Sequence, residues 1–329
     1  MRVLAGDIGG TKTLLEIAEV SPGAHRMIAQ ARFASNAYDG LMPMVHEFLA
    51  TAGAGAAGAI HSACFGIAGP LSDDGECARL TNLPWEVDAA VLRHGLGISR
   101  VRLLNDFQAV GYGIEALVPA DMTVLQEGRE MPRAPRVVVG AGTGLGVGIL
   151  VWQQDHYEAL ATEGGHADFA PADALQAGLL LSLMERFGRV SWERLLSGPG
   201  LVNIYAFLDA RADHQAGRRT VLEAEDPAAA ITRAALEERE VRALQALEMF
   251  SAIYGAQCGN LALTCLARGG VYLAGGIAPR IIAALKEPAF LHAFNNKGRM
   301  STLTASMPVR VVMNPGAGII GAAIAAGRL

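Results

Sequence analysis

Apolar positions fall in short runs rich in β-branched residues, broken by glycine turns, and this plan occurs twice along the chain. Residues 2–20 set two apolar runs around a Gly-Gly-Thr turn, which predicts a β-hairpin with a polar tip. Residues 136–152 repeat it: a Val-Val-Val run, a Gly/Thr turn and a second apolar run, the pattern of another hairpin. Between the two, Ser62 to Ala68 and Val101 to Leu104 read as buried strands, with helical stretches around 40–51 and 86–95. Farther on, Asp226-Pro227 signals a helix start, Asp as N-cap and Pro in the first turn, with helical character continuing intermittently toward Leu266. The charged residues from Glu237 to Arg242 read as a solvated face, and Val271 to Ala274 as a further strand closed by Gly275-Gly276. Asn314-Pro315-Gly316-Ala317-Gly318 turns into a small-residue helix able to pack very closely on a neighbour.

Alternation of strand and helix signals places the chain in the α/β class. Its 329 residues, 51% of them hydrophobic, supply material for two buried cores. The repeated hairpin sets the boundary near 110–118, giving a small lobe over 1–115, completed by a C-terminal helix over 315–329, and a large lobe over 116–314. A net charge of −5 and few aromatics argue against a nucleic-acid surface, which needs clustered Lys and Arg. The apolar stretches at 137–152 and 316–327 are broken by glycine and shorter than the roughly 20 residues that span a bilayer, so no membrane partner is expected. Asp7 interrupts the place where an export signal needs its apolar core, so a cytoplasmic location is expected. The four cysteines, Cys64, Cys77, Cys258 and Cys265, lack close-paired metal spacing and are read as reduced thiols.

Chemistry concentrates at the turns. Gly6-Asp7-Ile8-Gly9-Gly10-Thr11 puts a carboxylate at a strand end beside glycines whose backbone admits an anion, so a phosphate and its metal are both served there. It is no P-loop, because Thr11 stands where that motif needs its second glycine and strand-like residues follow. In Gly140-Ala141-Gly142-Thr143-Gly144-Leu145-Gly146 the amides and the Thr143 hydroxyl suit phosphate oxygens, and the spacing does not match the dinucleotide fingerprint. Two such hairpins suggest a clamp on a nucleoside triphosphate. Leu103-Leu104-Asn105-Asp106-Phe107 ends a strand with polar groups where α/β proteins hold ligands. Asp106 is a candidate general base; its alternative role is to cap the helix beginning near Phe107. Thr162-Glu163-Gly164-Gly165-His166-Ala167-Asp168, with Glu193 on a predicted helix before Ser197-Gly198-Pro199-Gly200, gathers the donors and acceptors that polyhydroxyl recognition requires. Further close ligands for zinc are lacking around His166.

These segments together resemble the bacterial glucokinases of the sugar kinase, heat-shock chaperone and actin superfamily. The resemblance rests on Gly6 to Thr11, Phe65-Gly66-Ile67-Ala68-Gly69-Pro70, Leu104-Asn105-Asp106-Phe107, Gly140 to Gly146, Glu163-Gly164-Gly165-His166, Ser197-Gly198-Pro199-Gly200 and Leu273-Ala274-Gly275-Gly276-Ile277, in family order over nearly the whole chain. Asn-Asp-Phe-Gln-Ala, Glu-Gly-Gly-His and Leu-Ser-Gly-Pro-Gly together are specific to the glucokinase branch.

The resemblance implies a two-lobed actin-like (ribonuclease H-like) fold with its ligand cleft between the lobes. It implies ATP-dependent phosphorylation of glucose at the 6-hydroxyl, feeding glycolysis, by a homodimer using ATP and Mg²⁺ without zinc. Asp106 would take the hydroxyl proton; Asn105, Glu163, His166 and Glu193 would hold the other hydroxyls. Gly6, Asp7, Ile8, Gly9, Gly10 and Thr11, with Gly142, Thr143 and Gly144, would face the phosphates. Gly275 and Gly276 would sit at the adenosine, and Asp7 would face Mg²⁺ through water. Lys12 departs from the Asn of many close relatives, and the Cys-rich zinc motif of a neighbouring branch is missing after His166. The rival expectations are a kinase for fructose, mannose or N-acetylmannosamine, a sugar-responsive transcription regulator, for which no helix-turn-helix precedes the first hairpin, and a chaperone or filament-forming relative.

Overall fold

A computed structural model of the chain describes residues 1–81, 83–211 and 221–329. The chain divides into two compact units, one comprising Met1–Asp121, Gln153–Ala161 and Asn314–Leu329, the other Met122–Trp152 and Thr162–Met313.

Unit 1 carries β1 (Arg2–Ile8), β2 (Lys12–Ser21), β3 (Ala24–Ala34), β4 (Ser62–Ile67), β5 (Cys77–Arg79), β6 (Glu86–Asp88) and β7 (Val101–Asn105). Five of them form one sheet in the order β3-β2-β1-β4-β7. The first hairpin pairs β1 with β2 antiparallel, while β1, β4 and β7 run parallel. Every residue of β4 is buried, as expected for a parallel strand covered on both faces. Ala63, Phe65 and Ile67 enter a core with Leu41, Met44 and Phe48 of the helix Leu41–Ala57. Ser62 and Gly66 face the other way: Ser62 Oγ donates to the Ala326 carbonyl at 2.6 Å, and Gly66 lies against Ala109.

That second face is covered by two helices, Asp106–Gly113 and Ala317–Ala326, whose backbones touch. A Cβ on Gly321 would stand 1.7 Å from the Ala109 carbonyl oxygen, and one on Gly113 would stand 2.0 Å from that of Ala317. The small-residue helix therefore packs as closely as its composition permits.

Unit 2 is built on β8 (Met122–Gln126), β9 (Arg136–Ala141), β10 (Leu145–Gln153), β12 (Val271–Ala274) and β13 (Val309–Val312), in the sheet order β10-β9-β12-β13-β8, while all but the last residue of β11 (His156–Thr162) falls in unit 1. The second hairpin is β9 and β10, antiparallel. The long helix Val241–Cys265 packs on β9, and Tyr254 Oη donates to the Val139 carbonyl at 2.9 Å.

Two local expectations change, at residues 86–88 and at Glu193. Residues 86–88 form β6 rather than helix, because Asp88 is extended and its carboxylate accepts the amides of Ala90 and Val91, starting the helix at Ala89. Between the helices Pro227–Leu236 and Val241–Cys265, Glu237, Glu238 and Arg239 are exposed, as a solvated face requires; Arg239 takes a left-handed φ of 57°, and Glu240 caps the second helix. Glu193 lies in the single 3-10 turn Trp192–Arg194 rather than on a longer helix. Among the described residues no helix is long and apolar enough to cross a membrane. All four cysteines are free thiols, and burial pushes Cys64 up to about 12.

Gly321→Ala tests the helix contact. Its Cβ meets backbone that has no alternative rotamer, so a stability loss at or above the roughly 1–3 kcal/mol usual for overpacking is expected in thermal or denaturant unfolding; an unchanged midpoint refutes the contact.

Candidate active site

In unit 1 the parallel register brings strand ends together: Ile8, Ile67 and Asn105 lie abreast on β1, β4 and β7, with Asp7, Gly66 and Leu104 one residue behind. Neighbouring strands are about 4.8 Å apart, so Asp7 and the Asn105–Asp106 corner occupy one sheet edge about 10 Å from each other. The tip of the first hairpin is braced. Gly9 N–H donates to the Lys12 carbonyl, buried Ser35 donates from Oγ to the Gly9 carbonyl at 2.7 Å, and Ser35 N–H donates to the Thr11 carbonyl. Sequence reading missed Ser35, which lies 24 residues after Thr11 and reaches the tip through β3.

Asp7 is enclosed, and its carboxylate lies 3.2 Å from the position of a Cβ on Gly318, in the first turn of the helix Ala317–Ala326. Burial raises its pKa above the ordinary 3.8, and the Lys12 ammonium pulls it part of the way back. Lys12 therefore lowers the charge cost of this carboxylate whatever else it touches.

The helix cap is Asn105, not Asp106. Asn105 Oδ1 accepts the Phe107 N–H at 2.9 Å, and Gln108 Oε1 accepts the Asn105 N–H at 3.1 Å, which completes a capping box. Asp106 occupies the first helical position, half-buried, and its Oδ1 also accepts the Phe107 N–H.

In unit 2 the second hairpin is held by several protein partners. Its tip bonds internally, Gly142 N–H to the Gly144 carbonyl, and the Gly142 carbonyl accepts the Gly198 N–H at 2.8 Å, seating it on the helix Gly198–Ala210, which Ser197 caps. Gly142, Thr143, Gly198, Pro199, Asp226 and Gly276 help line a cavity of about 920 Å³. Two helix N-termini, at Gly198 and Pro227, border it, which is a favourable setting for anionic groups. Gly275 is absent from the lining; it makes a turn with φ of 79° against the Ala141 backbone. The Asp226 cap, Arg186, Asn203 and Arg280 line the same cavity; the Asp-Pro helix signal was visible, but nothing in the sequence tied it to this cavity.

On its other side, Glu193 Oε2 accepts the Leu145 N–H at 3.0 Å, and a Cβ on Gly144 would come within 2.6 Å of the same oxygen. His166 stands between two carboxylates, 3.8 Å from Glu163 and 4.0 Å from Glu193, with Glu163 77% and His166 59% exposed. The three polyhydroxyl candidates of this unit thus converge on the hairpin, two of them open to solvent.

A protein-family model described as Glucokinase matches residues 4–329. The chain belongs to the glucokinase family. It is 43% identical to a glucokinase of Nostoc punctiforme, over 99% of both chains. Among solved structures it resembles a glucokinase from an Antarctic psychrotroph, with a TM-score of 0.88 and 27% identity over 100% of this chain and 99% of that one. It also shares the fold of a ROK family glucokinase from Streptomyces griseus solved with glucose and AMPPNP, with a TM-score of 0.66 and 19% identity over 100% of both chains. The fold is the two-lobed, actin-like α/β class of these sugar kinases.

Asp7 makes stability depend on pH with a definite sign. Folding raises its pKa, so the folded chain holds this proton more tightly than the unfolded one, and the group's contribution is lost as pH rises from 3.8 through the raised value. Asp7→Asn is expected to melt higher than the parent at pH 7, with the gap closing as pH falls toward that ordinary carboxylate value; a gap independent of pH would contradict the assignment.

Proposed function

We propose that this protein transfers the γ-phosphoryl group of ATP to the 6-hydroxyl of D-glucose, giving glucose 6-phosphate and ADP for glycolysis. The observation that carries the reading is the double use of the second hairpin. One side of its tip lines a cavity of nucleotide size, and the other side holds Glu193 beside His166 and Glu163. Kinship with the Nostoc glucokinase over the full chain supports glucose as the sugar.

Phosphoryl transfer passes through a loose transition state, so the work falls on alignment and charge neutralisation. In this proposal Asp106 accepts the 6-hydroxyl proton late in the reaction, when the attacking oxygen has become acidic, so a carboxylate of ordinary basicity suffices. Asn105, Glu163, His166 and Glu193 hold the other hydroxyls. With Oδ1 engaged by the Phe107 amide, Asn105 offers its Nδ2 donors, whereas the carboxylates offer acceptors. A hexose of the wrong configuration leaves one of these groups unpaired, at a cost of about 1–3 kcal/mol.

Backbone amides of Gly10 and Thr11 and of Thr143 and Gly144, with the Thr143 hydroxyl, take the phosphate oxygens, Gly9 and Gly142 shape the two turns that their own amides close, and Gly276 borders the adenosine. Asp7 fits a divalent cation: it is one enclosed carboxylate whose ionised form burial disfavours. Among the described residues no group of three or more His, Cys, Asp or Glu could hold a metal ion, so Mg²⁺ would lean on Asp7, through water, and on the triphosphate. When bound, magnesium neutralises charge on the phosphate oxygens. Cytoplasmic location and a homodimer belong to the same proposal.

Asp106→Asn is expected to bind glucose with little change while losing about 10²-fold or more in kcat, measured by calorimetry and a coupled assay for ADP. Near-parental turnover removes the base assignment. In the same assay with a hexose panel, glucose is expected to give the highest kcat/KM, and preference for another hexose overturns the substrate.

A further inference from the structure

Gln108 belongs to the Asn-Asp-Phe-Gln-Ala motif but has no part in the chemistry above. Both ends of its amide are engaged. Oε1 accepts the Asn105 N–H at 3.1 Å, and Nε2 donates to the Ala159 carbonyl at 2.9 Å. One partner is a donor and the other an acceptor, so a single orientation of the amide satisfies both. The side chain therefore ties the peptide just ahead of Asp106 to the segment Gln153–Ala161.

Tyr112, one turn farther along the same helix face, makes a second tie to that segment. Its hydroxyl donates to Glu158 Oε1 at 2.7 Å, and Arg102 reaches the same oxygen at 3.2 Å. Burial opposes ionisation of Glu158, but the bonds from Tyr112 and Arg102 outweigh it and hold the carboxyl below its ordinary range. The two ties differ in one respect: Gln108 continues to the Asn105 N–H, whereas Tyr112 holds the helix body.

We propose that Gln108 is a positioning residue for the reaction, fixing the Asn105–Asp106 peptide against Ala159 so that the base and its neighbouring amide keep one orientation toward the sugar. The proposal rests on Asp106 being the base. Gln108 touches neither substrate, and its effect reaches the reaction through the peptide it holds. Because a displacement of about 1 Å near a reacting group costs up to about 10²-fold, its loss is felt in kcat and in glucose KM while ATP KM is spared.

The test compares Gln108→Leu, Gln108→Glu and Tyr112→Phe in full-length protein, reading kcat, both KM values and the thermal midpoint. Gln108→Leu removes both bonds and is expected to lower kcat by about tenfold or more with ATP KM within about twofold. Gln108→Glu keeps an acceptor for the Asn105 N–H but sets a carboxylate oxygen against the Ala159 carbonyl, which loses its donor, so it is expected to lower kcat about as much as Leu, again with ATP KM within about twofold. Tyr112→Phe is expected to lower the midpoint and leave kcat within about twofold. Parental kcat in Gln108→Leu or in Gln108→Glu overturns the proposal, as does an equal kcat loss in Tyr112→Phe. Should Leu prevent folding, Gln108→Met is read by the same criteria. Asp106→Asn separates the two readings: if that variant is inactive while Gln108→Leu turns over normally, positioning fails and the base stands; if it stays active, the base assignment itself falls.

Discussion

Backbone contact between the helices Asp106–Gly113 and Ala317–Ala326 is the constraint on which unit 1 depends. Gly113 and Gly321 let the two helices touch at carbonyl distance, and together they cover one face of β1 and β4. The parallel register then sets Asp7 and the Asn105–Asp106 corner at a common edge. One helix begins with Asp106 and the other passes its first turn beside Asp7. The packing that buries the sheet thereby also sets the separation of the two carboxylates, and a looser pair of helices would let both drift.

Unit 2 solves its problem with one hairpin rather than a helix pair. The Gly142–Gly144 tip is anchored to the start of the helix Gly198–Ala210 and backed by a carboxylate that accepts the Leu145 amide. Glycine at 144 has a reason beyond turning, because any side chain there would collide with Glu193. If the neighbouring amides take phosphate as proposed, a carboxylate spent in this way is electrostatically unfavourable for the nucleotide, which fits the second duty proposed for Glu193 toward the sugar. Asp7 shows the same tension in unit 1: burial disfavours its ionised form, and such local instability is a common property of functional sites.

Residues that bond through their main chain or brace from a distance were the hardest to foresee. Ser35 holds the first hairpin tip from the far end of β3, and Gln108 bridges Asn105 to Ala159 across 51 residues. Neither has a pattern a reader of the linear chain can recognise, since a serine or glutamine declares no partner. The cap at Asn105 was harder for another reason. Asn and Asp are equally good caps, and the adjacent pair leaves the choice to whether Gln108 sits at the third helical position of the box.

The linear chain determined what depends on neighbours: both hairpins, with their glycine turns and strand alternation, the buried strands β4 and β7, the Asp226 cap, the small-residue helix and the motifs that mark the family. These follow from φ/ψ preference and from side-chain periods of a few residues, which act over short separations. Tertiary structure decided which of these features meet. It joined Glu193 to the second hairpin and brought helix 317–326 against Asp7 from the opposite end of the chain. Such contacts depend on loop closure and close packing over long stretches of chain, and no local preference encodes them.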